Sequence, residues 1–406
     1  MNLSRRRLFH GALGASAFTF AGTTALAESA GKKTTTVSPS SNVKNDALSI
    51  VNLDLLEEQA KGSLSDFAFA FVSGAAGDEW TLRENRRAFD DFPIMTRRLT
   101  GISSKTIDVR LKILDAELPS PIMVAPMGVH GLVHQEGEVA TASGAGAAGA
   151  LYQSSGASNR TMEDIARATS GPKWFQLYFN NDLGITRSLL QRATAAGYSA
   201  IVLTVDALGA GQSDRVRRLG QPFPPGLTFA NHDPRFGGAG DFRDQKQGLT
   251  WADISFCHEV SGLPVIVKGL LRPEDALHAV KAGAAAIQVS NHGGRQIDGV
   301  PASITVLPQV ADAVGGQVPI ILDGGIRRGI DVFRALALGA NAVAVGRPIL
   351  YGLGVGGPAG VKSVLDFLSA ELKTTMLLAG VEKLNAIDLR SVVTAQATAI
   401  SMKEKK

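Results

Sequence analysis

The sequence is poor in several things, and each shortage removes a class of function. Cys257 is the single cysteine among 406 residues, so no intramolecular disulfide, cysteine zinc cluster or Cys-x-x-Cys redox pair can form. Any redox chemistry must be carried by a bound group that cysteine does not hold, and no metal site is expected. No charge of one sign dominates: Lys and Arg number 41 against 37 Asp and Glu. Arg5, Arg6 and Arg7 lie in a segment expected to be removed, which leaves 38 against 37. A nearly neutral chain carries no electrostatic footprint for nucleic acid or a membrane surface. Past the first 27 residues there is no transmembrane candidate.

What is present points to a large α/β fold. The chain is 45% hydrophobic and 19% charged, and its length suits one α/β barrel with additions. Residues 1–27 read as a signal peptide. Ser4-Arg5-Arg6-Arg7-Leu8-Phe9 precedes a modestly apolar run, and the small residues Ala25 and Ala27 fit cleavage before Glu28. The paired arginines are similar to the twin-arginine signal, a route for proteins that cross already folded, so a periplasmic location is expected. Residues 28–46, rich in Ser, Thr, Lys and Asn, read as a linker.

Residues 47–119 form a helical preface, with helical patterns at Leu53–Gln59, Leu64–Val72 and Asp78–Phe89. Over 120–400 short apolar runs alternate with helical stretches. The strand candidates are Ile122–Pro126, Ala150–Gln153, Trp174–Tyr178, Ala200–Val205, Pro264–Lys268, Ala286–Ser290, Pro319–Asp323 and Ala342–Gly346. Parallel strands buried on both faces read this way. Eight alternations predict a closed (β/α)8 TIM barrel. Residues 207–250 break the rhythm with repeated Gly, Pro and Asp. An irregular interval of that length, following the fourth barrel strand, is expected to be a lid on the catalytic face or an unstructured segment.

Two Gly-x-Gly-x-x-Gly strings, beginning at Gly144 and Gly352, are decoys. Neither sits in the strand–turn–helix context, with a ribose-binding acid, that a dinucleotide site needs. The chemistry gathers instead in Val289-Ser290-Asn291-His292-Gly293-Gly294-Arg295-Gln296-Ile297-Asp298, directly after a buried strand. Glycines there let backbone approach a flat or phosphorylated ligand. A histidine can take a proton near neutral pH, and an arginine three residues on can hold a carboxylate bidentately.

With that segment in hand, the chain resembles the FMN-dependent α-hydroxy-acid oxidases and dehydrogenases, a family that includes glycolate oxidase and lactate oxidase. The resemblance runs from about residue 78 to about residue 384. It takes in Asp78-Glu79-Trp80-Thr81-Leu82, Phe175-Gln176-Leu177-Tyr178, Leu203-Thr204-Val205-Asp206, Val267-Lys268-Gly269, Asp323-Gly324-Gly325-Ile326-Arg327-Arg328-Gly329 and Val345-Gly346-Arg347-Pro348. It implies FMN as cofactor and a small hydroxy-acid-like substrate. His292 would be the base, Asp206 the acid that pairs with it, and Tyr178 a hydrogen-bond donor near the reacting oxygen. Arg295 would hold the substrate carboxylate. Lys268 would face N1 and O2 of the flavin, where a cation favours the reduced ring. Asp323, Gly324, Gly325, Arg327, Gly346 and Arg347 would surround the phosphate. Pro126, Met127, Ser154, Gln176, Thr204 and Ser290 would complete the flavin contacts. The resemblance also implies a homotetramer, and it leaves oxygen, a quinone or a cytochrome as electron acceptor.

Two positions depart from the family's pattern. Phe71 stands where a tyrosine usually helps bind the carboxylate, and Ser213 where a second arginine usually does. Either Arg215 or Arg217 replaces the missing cation, or the substrate is larger or lacks a free carboxylate. Gly156, at a position that is a bulky aromatic in some relatives, points to a roomier pocket. Retention of His292, Asp206, Lys268 and Arg295 together speaks against a flavin-binding protein without turnover.

Overall fold

The computed structural model describes residues 45–209, 211–236, 238 and 243–393. The expected signal peptide, nearly all of the linker and residues 394–400 lie outside them. Three preface helices come first: α1 (Leu53–Ser63), α2 (Asp66–Ser73) and α3 (Trp80–Arg87). Asn52 caps α1 and Ser65 caps α2, each side-chain oxygen accepting a first-turn N–H. The cap of α3 comes from far away in sequence: Asp298 accepts from Trp80 N and Thr81 N at 3.2 and 2.8 Å. An unexpected antiparallel hairpin follows, β1 (Leu111–Ile113) and β2 (Ala116–Leu118).

The barrel strands are β3 (Ile122–Val124), β4 (Tyr152–Ser155), β5 (Lys173–Leu177), β6 (Ile201–Thr204), β7 (Val265–Leu270), β8 (Ala286–Val289), β9 (Ile320–Asp323) and β10 (Ala342–Val345). All eight are parallel, and β10 pairs with β3 to close the barrel. Each coincides with an expected strand to within two residues at either end. The helices between and after them are α4 (Glu138–Ala147), α5 (Met162–Arg167), α6 (Leu183–Ala195), α7 (Asp214–Arg218), α8 (Ala252–Ser261), α9 (Pro273–Lys281), α10 (Ser303–Val314), α11 (Gly329–Ala337) and α12 (Arg347–Ala379). Among the described residues no helix is long and apolar enough to cross a membrane.

Alternation along each strand sorts the core into two clusters. Ile122, Tyr152, Phe175, Leu203, Val267 and Leu322 face the helices, whereas Met123, Leu151, Trp174, Val202, Ile266 and Ile321 fill the barrel interior. Ile113, Ala116 and Leu118 of the hairpin join the interior cluster. Each fully buried aliphatic or aromatic side chain contributes roughly 1.5–3 kcal/mol. At the C-terminal ends of the strands the inward positions turn polar: Gln153, Ser155, Gln176, Thr204, Lys268, Gln288 and Asp323, all buried.

Both glycine decoys are packing devices. A Cβ on Gly144 in α4 would sit 2.3 Å from the Pro358 carbonyl, and one on Gly352 would sit 2.7 Å from the Gly360 carbonyl, both carbonyls belonging to α12. The interval 207–250 is not wholly irregular. It contains α7 and a 3₁₀ turn at Pro234–Phe236. It is tied down at both ends, by Gly77 N donating to Gln212 O at 3.1 Å and by Asn181 N donating to Asp244 O at 3.0 Å.

Candidate active site

A cavity of about 680 Å³ opens at the C-terminal ends of the barrel strands. Twelve of the expected site residues line it: Pro126, Met127, Tyr178, Lys268, His292, Arg295, Asp323, Gly324, Gly325, Arg327, Gly346 and Arg347. Chain topology explains the convergence, because every strand of a parallel barrel delivers its following loop to the same face.

His292 begins a turn in which three successive residues have positive φ: His292 at 57°, Gly293 at 65° and Gly294 at 75°. A non-glycine residue there stores strain of roughly 1–3 kcal/mol, which must be held by its surroundings. The holders are visible. Ser290 Oγ accepts from His292 N at 3.0 Å. Asn291 exchanges side-chain hydrogen bonds with Asn85 of α3 at 2.8 and 3.0 Å. The imidazole Nδ1 lies 2.9 Å from Asp206 Oδ1, and Nε2 lies 3.5 Å from the Tyr178 hydroxyl. Burial alone would raise the Asp206 carboxyl; the Lys268 ammonium and the His292 ring outweigh it and hold the group below the usual carboxylate range. Burial, reinforced by the Asp206 charge, pushes the Tyr178 phenol upward, so it stays protonated.

Asp206 can lie this close only because Gly269 follows Lys268. Gly269 has φ 111°, and a Cβ there would fall 2.6 Å from both Cβ and Cγ of Asp206. The β7–β8 register shifts at that point, between Lys268 and Leu270.

Arg295 is held by one nitrogen. Its Nη1 donates to the carbonyls of Phe71 and Gly74 at 2.7 and 3.1 Å, and its Cζ lies 4.9 Å from the centre of the Phe71 ring. Nε and Nη2, the side-on edge that grips a carboxylate, make no hydrogen bond among the described residues. Arg347 is used differently from expectation. Its Nε donates to Val72 O, and its Nη2 to Gly74 O and Gly293 O, at 3.1, 2.8 and 2.9 Å. Burial and the adjoining Arg295 charge hold it below its ordinary value. What Arg347 offers an anion is chiefly its place at the N-terminus of α12, beside the glycines of the β9 and β10 loops.

Beneath the cavity runs a polar layer. Gln176 Nε2 donates to Thr204 Oγ1 at 2.9 Å, and Ser155 Oγ to Gln176 Oε1 at 2.9 Å. Gln288 Nε2 and Ser290 Oγ each donate to Asp323 at 2.7 Å, with Lys268 Nζ 3.9 Å from the same carboxylate. Both side-chain polar atoms of Gln153, Gln288 Oε1 and Asp206 Oδ2 are buried without a partner. Orphaned polar atoms under an open cavity are what a flat heterocycle with its own donors and acceptors would satisfy. With the buried Lys268 ammonium and a glycine-rich anion cradle, the residues fit FMN.

Three sequence expectations need correction. Arg215 does not line the cavity: its guanidinium is bound to Glu79 and Ser73, at the edge of the preface. Arg217, side chain 68% exposed, pairs with Asp214 instead. Ser154 is buried on the outer side of β4, toward Tyr198; Ser155 is the serine that turns inward. Sequence reasoning also missed Gln153 and Gln288, although a glutamine inside an otherwise apolar strand was a usable signal. Phe223, Phe229, Leu208 and Arg243, all from the interval 207–250, line the cavity as well and carried no signal.

Residues 60–394 match the family described as FMN-dependent dehydrogenase. An L-lactate oxidase of Lactobacillus jensenii is 43% identical over 86% of this chain and 87% of its own. A peroxisomal (S)-2-hydroxyacid oxidase of Arabidopsis thaliana is 42% identical over 87% of this chain and 99% of its own. Among solved structures, a lactate oxidase of Pediococcus acidilactici superposes with a TM-score of 0.83 at 41% identity, over 86% of this chain and 96% of that one. A mandelate oxidase with (S)-2-phenylpropionate superposes at 0.78 with 38% identity, over 85% and 98%. The chain therefore belongs to the FMN-dependent α-hydroxy-acid oxidase and dehydrogenase family and is an FMN-dependent oxidoreductase acting on CH–OH donors.

Proposed function

We propose that the chain oxidises a 2-hydroxy acid to the 2-oxo acid, with His292 as base and Arg295 as carboxylate anchor. One observation carries this reading: His292, paired with Asp206, lines one cavity together with Tyr178 and with Arg295, whose Nε and Nη2 make no hydrogen bond among the described residues. Asp206 occupies Nδ1, which leaves Nε2 to take the substrate's proton; the carboxylate then stabilises the imidazolium. Tyr178 donates a hydrogen bond to the reacting oxygen. Arg295 orients the substrate through its carboxylate, and so sets the carbinol carbon against His292. FMN, when bound, supplies the acceptor for the two electrons that leave this carbon. Lys268 puts a buried cation beside the polar layer, where negative charge would gather.

Within this class we favour an acid with a larger apolar side chain. Phe71, Val129, Ala157, Leu208, Phe223 and Phe229 give the cavity an apolar wall. Ser213, in the second arginine's usual place, is the N-cap of α7. A substrate without a carboxylate fits less well, because it would leave the Arg295 edge unpaired. The names of the relatives, oxidases throughout, favour oxygen as acceptor over a quinone or cytochrome. Export by the twin-arginine route and a homotetrameric assembly complete the proposal.

Anaerobic mixing of the holoenzyme with a panel of 2-hydroxy acids tests it by bleaching of the flavin absorbance. Re-oxidation by air, quinone or cytochrome then identifies the acceptor. His292→Ala should abolish bleaching while FMN stays bound, since the base acts on substrate. If no 2-hydroxy acid bleaches the wild-type flavin, or if His292→Ala bleaches normally, the reading is wrong.

A further inference from the structure

Arg295 is a partly buried cation without an acidic partner among the described residues. Burial holds its guanidinium below the ordinary value, and no carboxylate among the described residues forms an ion pair with it. Its charge is balanced instead by two carbonyls at the C-terminal end of α2 and by the face of the Phe71 ring. This form of compensation has a consequence. A carboxylate partner would cancel the charge and compete with an anionic substrate, whereas carbonyl dipoles and a ring quadrupole hold the cation without neutralising it.

Phe71 grips Arg295 twice, through its carbonyl at 2.7 Å and through its ring at 4.9 Å. The ring is itself fixed. It stacks on Phe67 at 6.4 Å and 15°, and Phe223 meets it edge-on at 6.3 Å and 73°. Phe223 also closes on Phe67, at 6.0 Å and 83°. Three aromatic side chains, two from α2 and one from the interval 207–250, thus form a bed under the guanidinium.

We propose that Phe71 is a positioning residue for substrate binding: its ring and carbonyl lock Arg295 so that the Nε/Nη2 edge faces the cavity, and Phe223 completes the bed. The inference rests on Arg295 being the carboxylate anchor. It also gives the Tyr-to-Phe departure a use, since the ring orders an arginine even though it no longer offers a hydroxyl to the substrate.

The test uses FMN-loaded enzyme and two readouts. One is the Kd for oxalate, taken from its perturbation of the flavin spectrum; the other is KM and kcat for a 2-hydroxy acid that bleaches the flavin. Phe71→Met keeps an apolar side chain and removes the ring. A desolvated cation–π contact contributes about 1–2 kcal/mol, so oxalate Kd and KM should rise about 5- to 30-fold. kcat should change far less, and FMN content not at all. Phe71→Tyr should restore binding. Phe223→Leu, which leaves α2 untouched, should weaken oxalate binding about 2- to 5-fold and decides the matter if Phe71→Met does not fold. Unchanged oxalate binding in Phe71→Met, or in Phe223→Leu in that case, overturns the inference, provided Arg295→Met abolishes binding. Loss of FMN together with equal losses in kcat and kcat/KM overturns it too, because that pattern is a packing defect. If Arg295→Met binds oxalate as wild type does, the anchor reading itself is wrong.

Discussion

Gly269→Ala adds one methyl group to a residue outside the cavity lining, yet it should disturb the His292–Asp206 pair. The new Cβ would meet Asp206 Cβ and Cγ at 2.6 Å and Asp206 N at 2.9 Å, well inside ordinary contact, at a φ of 111°. An L-residue in that region costs roughly 1–3 kcal/mol before any clash. Relief requires Asp206 to move, and its main link is the 2.9 Å contact with His292 Nδ1. A hydrogen bond to a charged group contributes about 1.5–3 kcal/mol, so its loss predicts a flavin-reduction rate about 10- to 150-fold lower at saturating substrate. Substrate affinity should change little, because Arg295 is anchored on α2. The assay is anaerobic stopped-flow bleaching, with FMN content measured alongside. Asp206→Asn provides the control. If Gly269 acts through Asp206, adding Gly269→Ala to Asp206→Asn should slow the reaction little further. A reduction rate within about twofold of wild type refutes the steric argument, and so do two effects that simply multiply.

Other outcomes can be checked independently. Arg215→Ala should leave the KM for 2-hydroxy acids within about twofold, since an exposed pair contributes only about 0–1 kcal/mol and its guanidinium faces Glu79 and not the cavity; a tenfold rise would restore it as a substrate ligand. Burial pushes the His130 imidazole down to about 3, so the folded chain stays unprotonated there while the unfolded chain takes a proton below its ordinary value. Stability is therefore lost as pH falls from about 6.5 toward 3, at about 1.4 kcal/mol per unit, or about 2 kcal/mol by pH 5. Buried Glu138, raised by burial, works in the opposite sense. His130→Asn should remove the His130 part, so its stability relative to wild type should improve between pH 7 and 5 in urea melts of the holoenzyme; parallel curves would refute it. Changing Arg5 and Arg6 to Lys should block export, and export that persists through the twin-arginine translocase would refute the signal assignment.

The sequence by itself determined the barrel, the family and the cofactor. Eight short apolar runs, each followed by a helical stretch, allow few arrangements other than a closed parallel barrel, because strands buried on both faces need helices around them. Motifs at the ends of those strands then had to converge, and the family resemblance those motifs carry is what named Asp206, Lys268 and Asp323 alongside His292. Tertiary structure alone decided what each arginine does. Arg215, Arg295 and Arg347 are equivalent as letters, yet one pairs with Glu79, one is held on Phe71 and one donates to Val72, Gly74 and Gly293. A long flexible side chain with five donors goes to whichever acceptors the fold brings near, and those acceptors are mostly backbone carbonyls, which leave no trace in sequence. The same holds for Gly269 and Phe223. One is needed because Asp206 comes to lie against it, and the other because a distant loop folds onto α2.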